Sequence, residues 1–392
     1  MKKGWTYKKV GDVFKTYSGG TPIKSHNEYY ENGDIPWIRS GEVCCKYITK
    51  SEMFITQAGL ENSSAKYFPI DTVLVAMYGA TAAQVGILKI KATSNQAVCG
   101  ILPNDHFIPE FVYYWFKLIE SDLASQAQGG AQPNISQEKI KKVDFPIISL
   151  AEQERIVERL DAAFAQIDEL KSNAERQLAE ARALFQSTLT QAMQPKPGWQ
   201  EKTLGDIAID MYRGSGIRRD QITKEGFPCV RYGEIYTTYN ISFEDCVSHT
   251  LESSIVSPKY FEHGDLLFAI TGESVEDIGK TIAYMGNEKC LLGGDIICMK
   301  HKQNPKFLSY ALSTTDAIRQ KGFGKTKLKV VHTNAPSLRA IRIPLPPLSE
   351  QQSIVEHLDS ISTNIRILEE INQKIKPECD AIKQALLRQI FE

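Results

Sequence analysis

The sequence lacks the patterns that would assign it to a membrane, a disulfide framework or a metal site. No uninterrupted apolar run reaches membrane-spanning length, and the start at Met1–Trp5 has no apolar segment of the signal-peptide type, so we expect a cytoplasmic protein without membrane contact. The eight cysteines include no Cys-x-x-Cys pair, which favours reduced thiols over disulfides or bound zinc. The seven histidines form no His-x-x-x-His pair.

Nucleotide-binding and catalytic motifs are also missing. Gly279-Lys-Thr281 and Gly324-Lys-Thr326 end like a phosphate-binding Walker loop, but the glycine required five positions earlier is replaced by Ser274 and Arg319. There is no Asp/Asn-Pro-Pro-aromatic segment, no Gly-x-Gly-x-x-Gly after a strand and no nucleophile elbow. The sequence therefore predicts a non-catalytic recognition protein without a bound cofactor or metal.

A net charge of −1 conceals an uneven distribution. Residues 150–193 and 349–392 each carry five basic and eight acidic residues, so the remainder of the chain sums to +5. Mildly basic remaining segments permit polyanion binding without requiring it.

A long-range internal repeat organises the chain, and such a repeat is interpreted before any local motif. Residues 144–161 return as residues 342–359 with nine identities in 18 ungapped positions. The identities include the Pro-x-x-x-Leu-x-Glu-Gln-x-x-Ile-Val block at 146–157 and at 344–355.

A long helix is predicted after each repeated block. Apolar residues recur at spacings of four and three, and a mean period of ~3.5 is typical of coiled coils. The predicted seam, facing the other helix or a partner, contains Ile156, Leu160, Ile167, Leu170, Leu184, Ile354, Leu358, Ile365, Leu368 and Ile382. Capping boxes are expected at Ser149 and Ser349, and Pro377 is expected to kink or interrupt the second helix. The alternative is two ordinary amphipathic helices in a globular core.

The repeat extends more loosely into the globular segments. Residues 35–42 resemble 227–234, and residues 109–114 resemble 305–310. Short strand candidates at 37–39, 73–77, 85–90 and 98–102, with a helix beginning at Pro109, predict an α+β unit. The predicted order is a globular domain at 1–148, a helix at 149–194, a similar globular domain at 195–347 and a second helix at 348–392.

Two glycine-rich loops at matching positions are the first candidate contact sites. Backbone N–H groups of such loops can hold phosphate oxygens, and arginines can contact phosphate or guanine. A tight turn is the alternative. These loops supply Ser18, Gly19, Gly20, Thr21 and Lys24, and then Arg213, Ser215, Arg218 and Arg219.

Other candidates follow strands or lie late in each globular segment. Arg39 and Arg231 occupy the same repeat position, where a base contact and a structural ion pair both remain possible. Loops at the edge of a rigid sheet often carry recognition groups, and clustered lysines favour a polyanion, with a solvated face as the alternative. The further candidates are Tyr78, Thr81, Gln84, Gln128, Gln132, Asn134, Thr271, Lys321, Lys325, Lys327 and Lys329.

The whole chain resembles the specificity subunits of type I restriction-modification systems. The resemblance is carried by the duplicated block at 146–157 and 344–355, with support from Ser18-Gly-Gly-Thr-Pro22 and Ile35-Pro-Trp37. It departs from the family at Cys229, which replaces the tryptophan found at Trp37, and at Pro377.

The resemblance implies two target-recognition domains related by a pseudo-twofold repeat. It also implies that the two helices form an antiparallel coiled coil that spaces the domains. Each domain would read one half of an asymmetric, bipartite double-stranded DNA site. Two modification subunits would dock on the helices and bring S-adenosylmethionine for adenine methylation, and restriction subunits would add ATP- and Mg-dependent translocation and cleavage.

Three classes of function are therefore weighed. A DNA specificity subunit without catalytic activity explains the repeat, the helices and the missing catalytic motifs together. A coiled-coil scaffold or adaptor that binds protein partners is the alternative, and a free-standing enzyme is the least consistent with the sequence.

Overall fold

The computed structural model describes residues 2–126, 134–275, 277–323 and 331–392. Contacts divide the chain into a first unit, Met1–Ala174 with Gln373–Glu392, and a second unit, Glu175–Asn372. Each unit therefore combines one globular segment with parts of both long helices. Within the described residues, no helix is both long and apolar enough to cross a bilayer.

The globular segment of the first unit is a mixed α+β structure. Its strands are β1 (Thr6–Lys9), β2 (Thr16–Ser18), β3 (Ile35–Ile38), β4 (Tyr47–Ile48), β5 (Phe54–Ile55), β6 (Val73–Ala76), β7 (Val85–Leu88), β8 (Thr93–Ser94), β9 (Val98–Ile101) and β10 (Asp144–Ile147). Its helices are α1 (Val10–Val13), α2 (Gln57–Glu61), α3 (Pro109–Leu118), α4 (Glu120–Ser125) and α5 (Gln137–Lys141).

The globular segment of the second unit follows the same plan. Its strands are β11 (Gln200–Thr203), β12 (Asp210–Arg213), β13 (Ile222–Thr223), β14 (Phe227–Val230), β15 (Ser242–Phe243), β16 (Ser248–Thr250), β17 (Tyr260–Phe261), β18 (Leu266–Ala269), β19 (Thr271–Gly272), β20 (Thr281–Tyr284), β21 (Cys290–Leu292), β22 (Ile296–Lys300), β23 (Val331–His332) and β24 (Arg342–Leu345). Its helices are α7 (Leu204–Ile207), α8 (Tyr232–Thr237), α9 (Pro305–Ala311), α10 (Thr315–Gly322) and α11 (Ala335–Arg339).

The main sheet has the same topology in both units. Among the described residues, its strand order is β2-β9-β6-β7-β4 in the first unit and β12-β22-β18-β20-β15 in the second. The inner strands β6 and β18 are entirely apolar and fully buried, as expected for strands covered on both faces. The predicted strands and the helix beginning at Pro109 are confirmed with small shifts of their ends.

Two long helices, α6 (Leu150–Ala192) and α12 (Leu348–Phe391), confirm the repeated helix prediction. They run antiparallel in the first unit. Asp168 of α6 accepts from Lys383 of α12 at 2.5 Å, and Leu160, which comes before Asp168, shares a core with Leu387, which comes after Lys383. In the second unit, Arg182 pairs with Glu369 at 2.5 Å, again with antiparallel chain direction because Leu189 shares a core with Leu358.

The residues of the predicted seam are buried near the start of each helix and more exposed farther along. Ile156, Leu160, Ile167, Ile354 and Leu358 are buried, whereas Ile365 and Leu368 are half-buried. Leu170 and Leu184 are each 65% exposed and Ile382 is 50% exposed, so these three do not lie between the helices.

The pitch of the α-helix explains the error. A stripe followed at ~3.5 residues per turn drifts by ~20° per heptad relative to a helix with ~3.6. In α6 the buried stripe has moved one residue forward, to Leu178 instead of Gln177 and to Leu189 instead of Thr188. Gln177 and Thr188, which a strict 3.5-residue stripe through α6 would contain, therefore lie outside the buried stripe.

Buried glutamines from the repeated block fix the start of each long helix. Gln153 donates to the carbonyls of His106 and Ile148 and accepts from the Ile108 N–H at 2.9 Å. Gln351 is likewise fully buried, and it accepts from the Asn304 N–H at 3.0 Å.

Three details at the helix ends and interior answer the remaining predictions. Ser149 caps α6 by accepting from the Glu152 N–H at 3.3 Å. The expected cap at Ser349 is wrong, because α12 already begins at Leu348 and the Pro347 carbonyl accepts its first N–H groups, those of Glu350 and Gln351, at 3.0 Å each. The helix is not interrupted at Pro377.

Candidate nucleic-acid interface

The first glycine-rich loop is a packed turn. Gly19 N–H donates to Val98 O at 3.0 Å and Gly20 N–H to Ser94 O at 2.9 Å, so neither is available to a phosphate. The Ser18 hydroxyl donates to Gln137, and the Thr21 hydroxyl donates to Gln96. The predicted phosphate cradle is therefore wrong at Gly19 and Gly20, because this loop continues the edge of the main sheet.

The second loop repeats this arrangement. Gly214 N–H donates to Ile296 O at 3.0 Å, and Ser215 N–H donates to Leu292 O at 2.9 Å. Ser215 is buried and its hydroxyl donates to Ser257 O at 2.6 Å, so the prediction that it contacts DNA is also wrong. Arg213 is exposed and ion-paired with Asp295 at 2.7 Å.

We expect Gly19→Ala to destabilise the first unit by about 1–3 kcal/mol, the usual cost of overpacking. A Cβ on Gly19 would lie 2.2 Å from the backbone oxygen of Ser94. The matched control is Gly41→Ala, since a Cβ there meets nothing within 4 Å. Urea unfolding of the two variants measures the difference, and equal midpoints would contradict the packed-turn assignment.

The repeated arginines hold local structure. Arg39 pairs with Glu42 at 3.5 Å and with Glu52 at 2.6 Å, and Arg231 pairs with Glu234 at 3.2 Å. In both places the glutamate also accepts from the arginine's own backbone N–H, which closes a short turn after the strand. Of the two possibilities at this position, the structural ion pair is the one present.

Lys321 is buried and cannot contact DNA from this position, so that prediction is wrong. Its ammonium donates to Leu312 O at 2.8 Å and to the Thr281 hydroxyl at 3.1 Å. Burial lowers the pKa of Lys321 to about 7, from an ordinary value of 10.5. The cluster of lysines in the sequence did not indicate that Lys321, which lies in α10, is buried.

The other candidates lie at the surface or outside the described residues. Tyr78 forms a β-bridge with Asn134, and Thr271 hydrogen-bonds His332 at 3.1 Å. Lys24, Arg218 and Arg219 are exposed, whereas Thr81 and Gln84 are half-buried. The candidates outside the described residues are Gln128, Gln132, Lys325, Lys327 and Lys329.

Sequence reasoning missed a repeated network that joins each globular segment to its long helix. Asp161 accepts from the Tyr114 hydroxyl and from Lys46. Its repeat partner Asp359 accepts from Tyr310 at 2.7 Å and from Lys306 at 2.9 Å. Both aspartates are identities of the repeated block, so that identity was the available signal.

Comparison with known proteins assigns this duplicated architecture to a protein family. A family model described as a type I restriction modification DNA specificity domain matches residues 2–180 and again residues 196–377. The chain belongs to this family. It is accordingly a non-catalytic specificity subunit with two DNA-recognition domains, and the scaffold alternative is not favoured.

Individual relatives agree with the family match. The type I restriction enzyme StySPI specificity subunit of Salmonella potsdam is 23% identical over 422 residues, covering 100% of this chain and 89% of the relative. The EcoR124I/EcoR124II specificity subunit of Escherichia coli is 31% identical over 160 residues, or 40% of each protein.

Solved structures support the fold. The HsdS subunit from Thermoanaerobacter tengcongensis has a TM-score of 0.60 at 18% identity, covering 100% of this chain and 97% of that one. A chain from a study of type I R-M complex assembly has a TM-score of 0.76, also at 18% identity, with coverage of 100% and 98%.

Proposed function

We propose that the two globular segments each read one half of a bipartite, asymmetric DNA site. The observation that carries the proposal is the duplicated main sheet, which has one strand order in both units but different loop sequences at its edge. Equivalent frames with different surface groups suit two half-sites of unlike sequence, since bases are read by side-chain donors and acceptors.

We further propose that the long helices set the separation of the half-sites and bind two modification subunits. The beginnings of α6 and α12 are equivalent, so one chain offers two similar surfaces that can each bind one copy of the same partner. A symmetric pair of DNA half-sites binds the two subunits of a dimer in the same way. S-adenosylmethionine would belong to those modification subunits, and ATP and Mg would belong to restriction subunits. The exposed Leu170, Leu184 and Ile382 are candidates for the partner contact that the seam prediction left open.

Mapping N6-methyladenine in cells that express this chain with its modification subunit tests the proposal. We expect one split motif, methylated on both strands, that disappears when the chain is omitted. A chimera should then carry both parts of the first unit, 1–174 and 373–392, from a related subunit, because these parts share one core. That exchange should change only one half of the motif, and the absence of any chain-dependent motif would overturn the proposal.

A further inference from the structure

The loop after the central strand of the main sheet differs in sequence and length between the two units, although equivalent backbone hydrogen bonds hold it in both. We define the apex loop as residues 78–84, between β6 and β7, and residues 271–280, between β18 and β20. At its base, Ala83 N–H donates to Ala76 O at 2.8 Å, and Gly279 N–H donates to Ala269 O at 3.0 Å. Ala83 and Gly279, which make these hydrogen bonds, both lie in the left-handed region with φ 72°, and the first loop has a second such residue in Gly79.

A second segment pairs with the apex loop in the same way in each unit. Ile135 N–H donates to Met77 O at 2.8 Å, and Thr333 N–H donates to Ile270 O at 2.9 Å. This pairing places Asn134 opposite Tyr78 in the first unit and His332 opposite Thr271 in the second. The frame of the apex loop is therefore common to both units.

The content of the loop is not shared. Four residues, 79–82, separate Tyr78 from Ala83, whereas seven residues, 272–278, separate Thr271 from Gly279. The exposed groups include Tyr78 and Asn134 in the first unit, and Glu273, Asp277 and His332 in the second. Two equivalent frames that display different donors and acceptors have the properties expected of an element that reads different bases.

Unpaired polar atoms collect beside the same element. Among the described residues, five buried side-chain atoms lack a hydrogen-bond partner, and three of them, Gln84 Oε1, the Tyr236 hydroxyl oxygen and Thr333 Oγ1, lie in or beside the apex loops. The Tyr236 oxygen lies 3.0 Å from where a Cβ on Gly272 would be. Buried polar groups are normally satisfied, so these three atoms retain hydrogen-bonding capacity that no protein group uses.

The loop chemistry favours base edges over phosphates. Residues 78–84 contain no lysine or arginine, and the single cation of residues 271–280, Lys280, donates to the carbonyls of Tyr236 at 3.4 Å and Tyr239 at 3.0 Å. The second loop also carries the exposed Glu273 and Asp277. A carboxylate next to a polyanion is repelled by phosphate but can accept from the amino group of cytosine, and a carboxamide such as Asn134 can pair with adenine.

We infer that the apex loop and the residue paired with it form the base-reading element of each unit, with Asn134 acting in the first half-site and Glu273 in the second. This inference rests on the proposed bipartite recognition and deepens it. The remaining exposed cations, such as Lys24 and Arg219, then provide sequence-independent attraction to the phosphate backbone.

Asn134→Ala and Glu273→Gln test the inference in the complex with the cognate modification subunit. Binding is measured on duplexes in which each position of the motif is varied in turn, over a series of salt concentrations. Each variant should lose discrimination at one or two positions of its own half-site by roughly 5- to 100-fold and keep the other half-site. The slope of log affinity against log salt should stay unchanged, because no phosphate contact is removed.

Glu288→Gln is the matched control, since Glu288 is exposed at the opposite end of β20. It should preserve discrimination at every position, and thermal melting checks that all variants fold. Uniform weakening for all sequences with a smaller salt slope would assign the loop to phosphate contact and overturn the inference, as would unchanged discrimination. If the wild-type complex itself shows no bipartite motif, the proposed function fails first.

Discussion

Phe391→Ala should destabilise the first unit by about 3–5 kcal/mol, the usual cost of removing a fully buried aromatic side chain. Phe391 is the penultimate residue of the sequence and has no exposed surface. Its ring centroid lies 5.5 Å from that of Trp115, 5.6 Å from that of Phe111 and 6.0 Å from that of Trp5. The end of α12 is therefore part of the core that surrounds α3, and its loss opens a cavity there.

Tryptophan fluorescence during urea unfolding measures this effect directly, because two of the contacting rings are Trp5 and Trp115. Ile382→Ala is the matched control: it removes an aliphatic side chain from an exposed position of the same helix, where about 0.5 kcal/mol is expected. If the two variants unfolded at the same urea concentration, the end of α12 would not belong to the core of the first unit.

Lys321→Met should remove a rise in stability that the wild-type protein shows between pH 7 and pH 10. The pKa of Lys321 is about 7 in the folded protein and ordinarily 10.5. Between these values the unfolded chain binds a proton that the folded chain has released. The free energy of unfolding therefore rises with pH, by up to ~1.4 kcal/mol per pH unit.

The measurement is urea unfolding of both proteins at several pH values, with the difference between them plotted against pH. The difference should change between pH 7 and pH 10 and stay level below pH 7, where both states of the wild type hold the proton. Lys302→Met, which removes an exposed lysine from the same unit, should keep the wild-type profile. A flat difference throughout would mean that Lys321 is charged and solvated in the folded state.

The candidate site shows where residue type alone was misleading. Glycine-rich loops, a repeated arginine and a lysine cluster are all compatible with anion binding. The structure uses Gly19 and Gly214 for close packing against a neighbouring strand, Arg39 and Arg231 for turns, and Lys321 inside the core. Each of these uses depends on a partner at least three residues away and often far along the chain, such as Ser94 for Gly19.

The sequence by itself determined the duplicated order of globular segment and helix, the α+β class and the family. Those properties depend on residue identity at a fixed offset and on apolar periodicity, which are local or directly comparable along the chain. The tertiary structure alone decided which residues of the helix stripe are buried, that Phe391 belongs to the first unit, and which polar groups remain available. These outcomes depend on contacts between residues distant in sequence, and on the helical pitch, whose small departure from a heptad accumulates over a long helix.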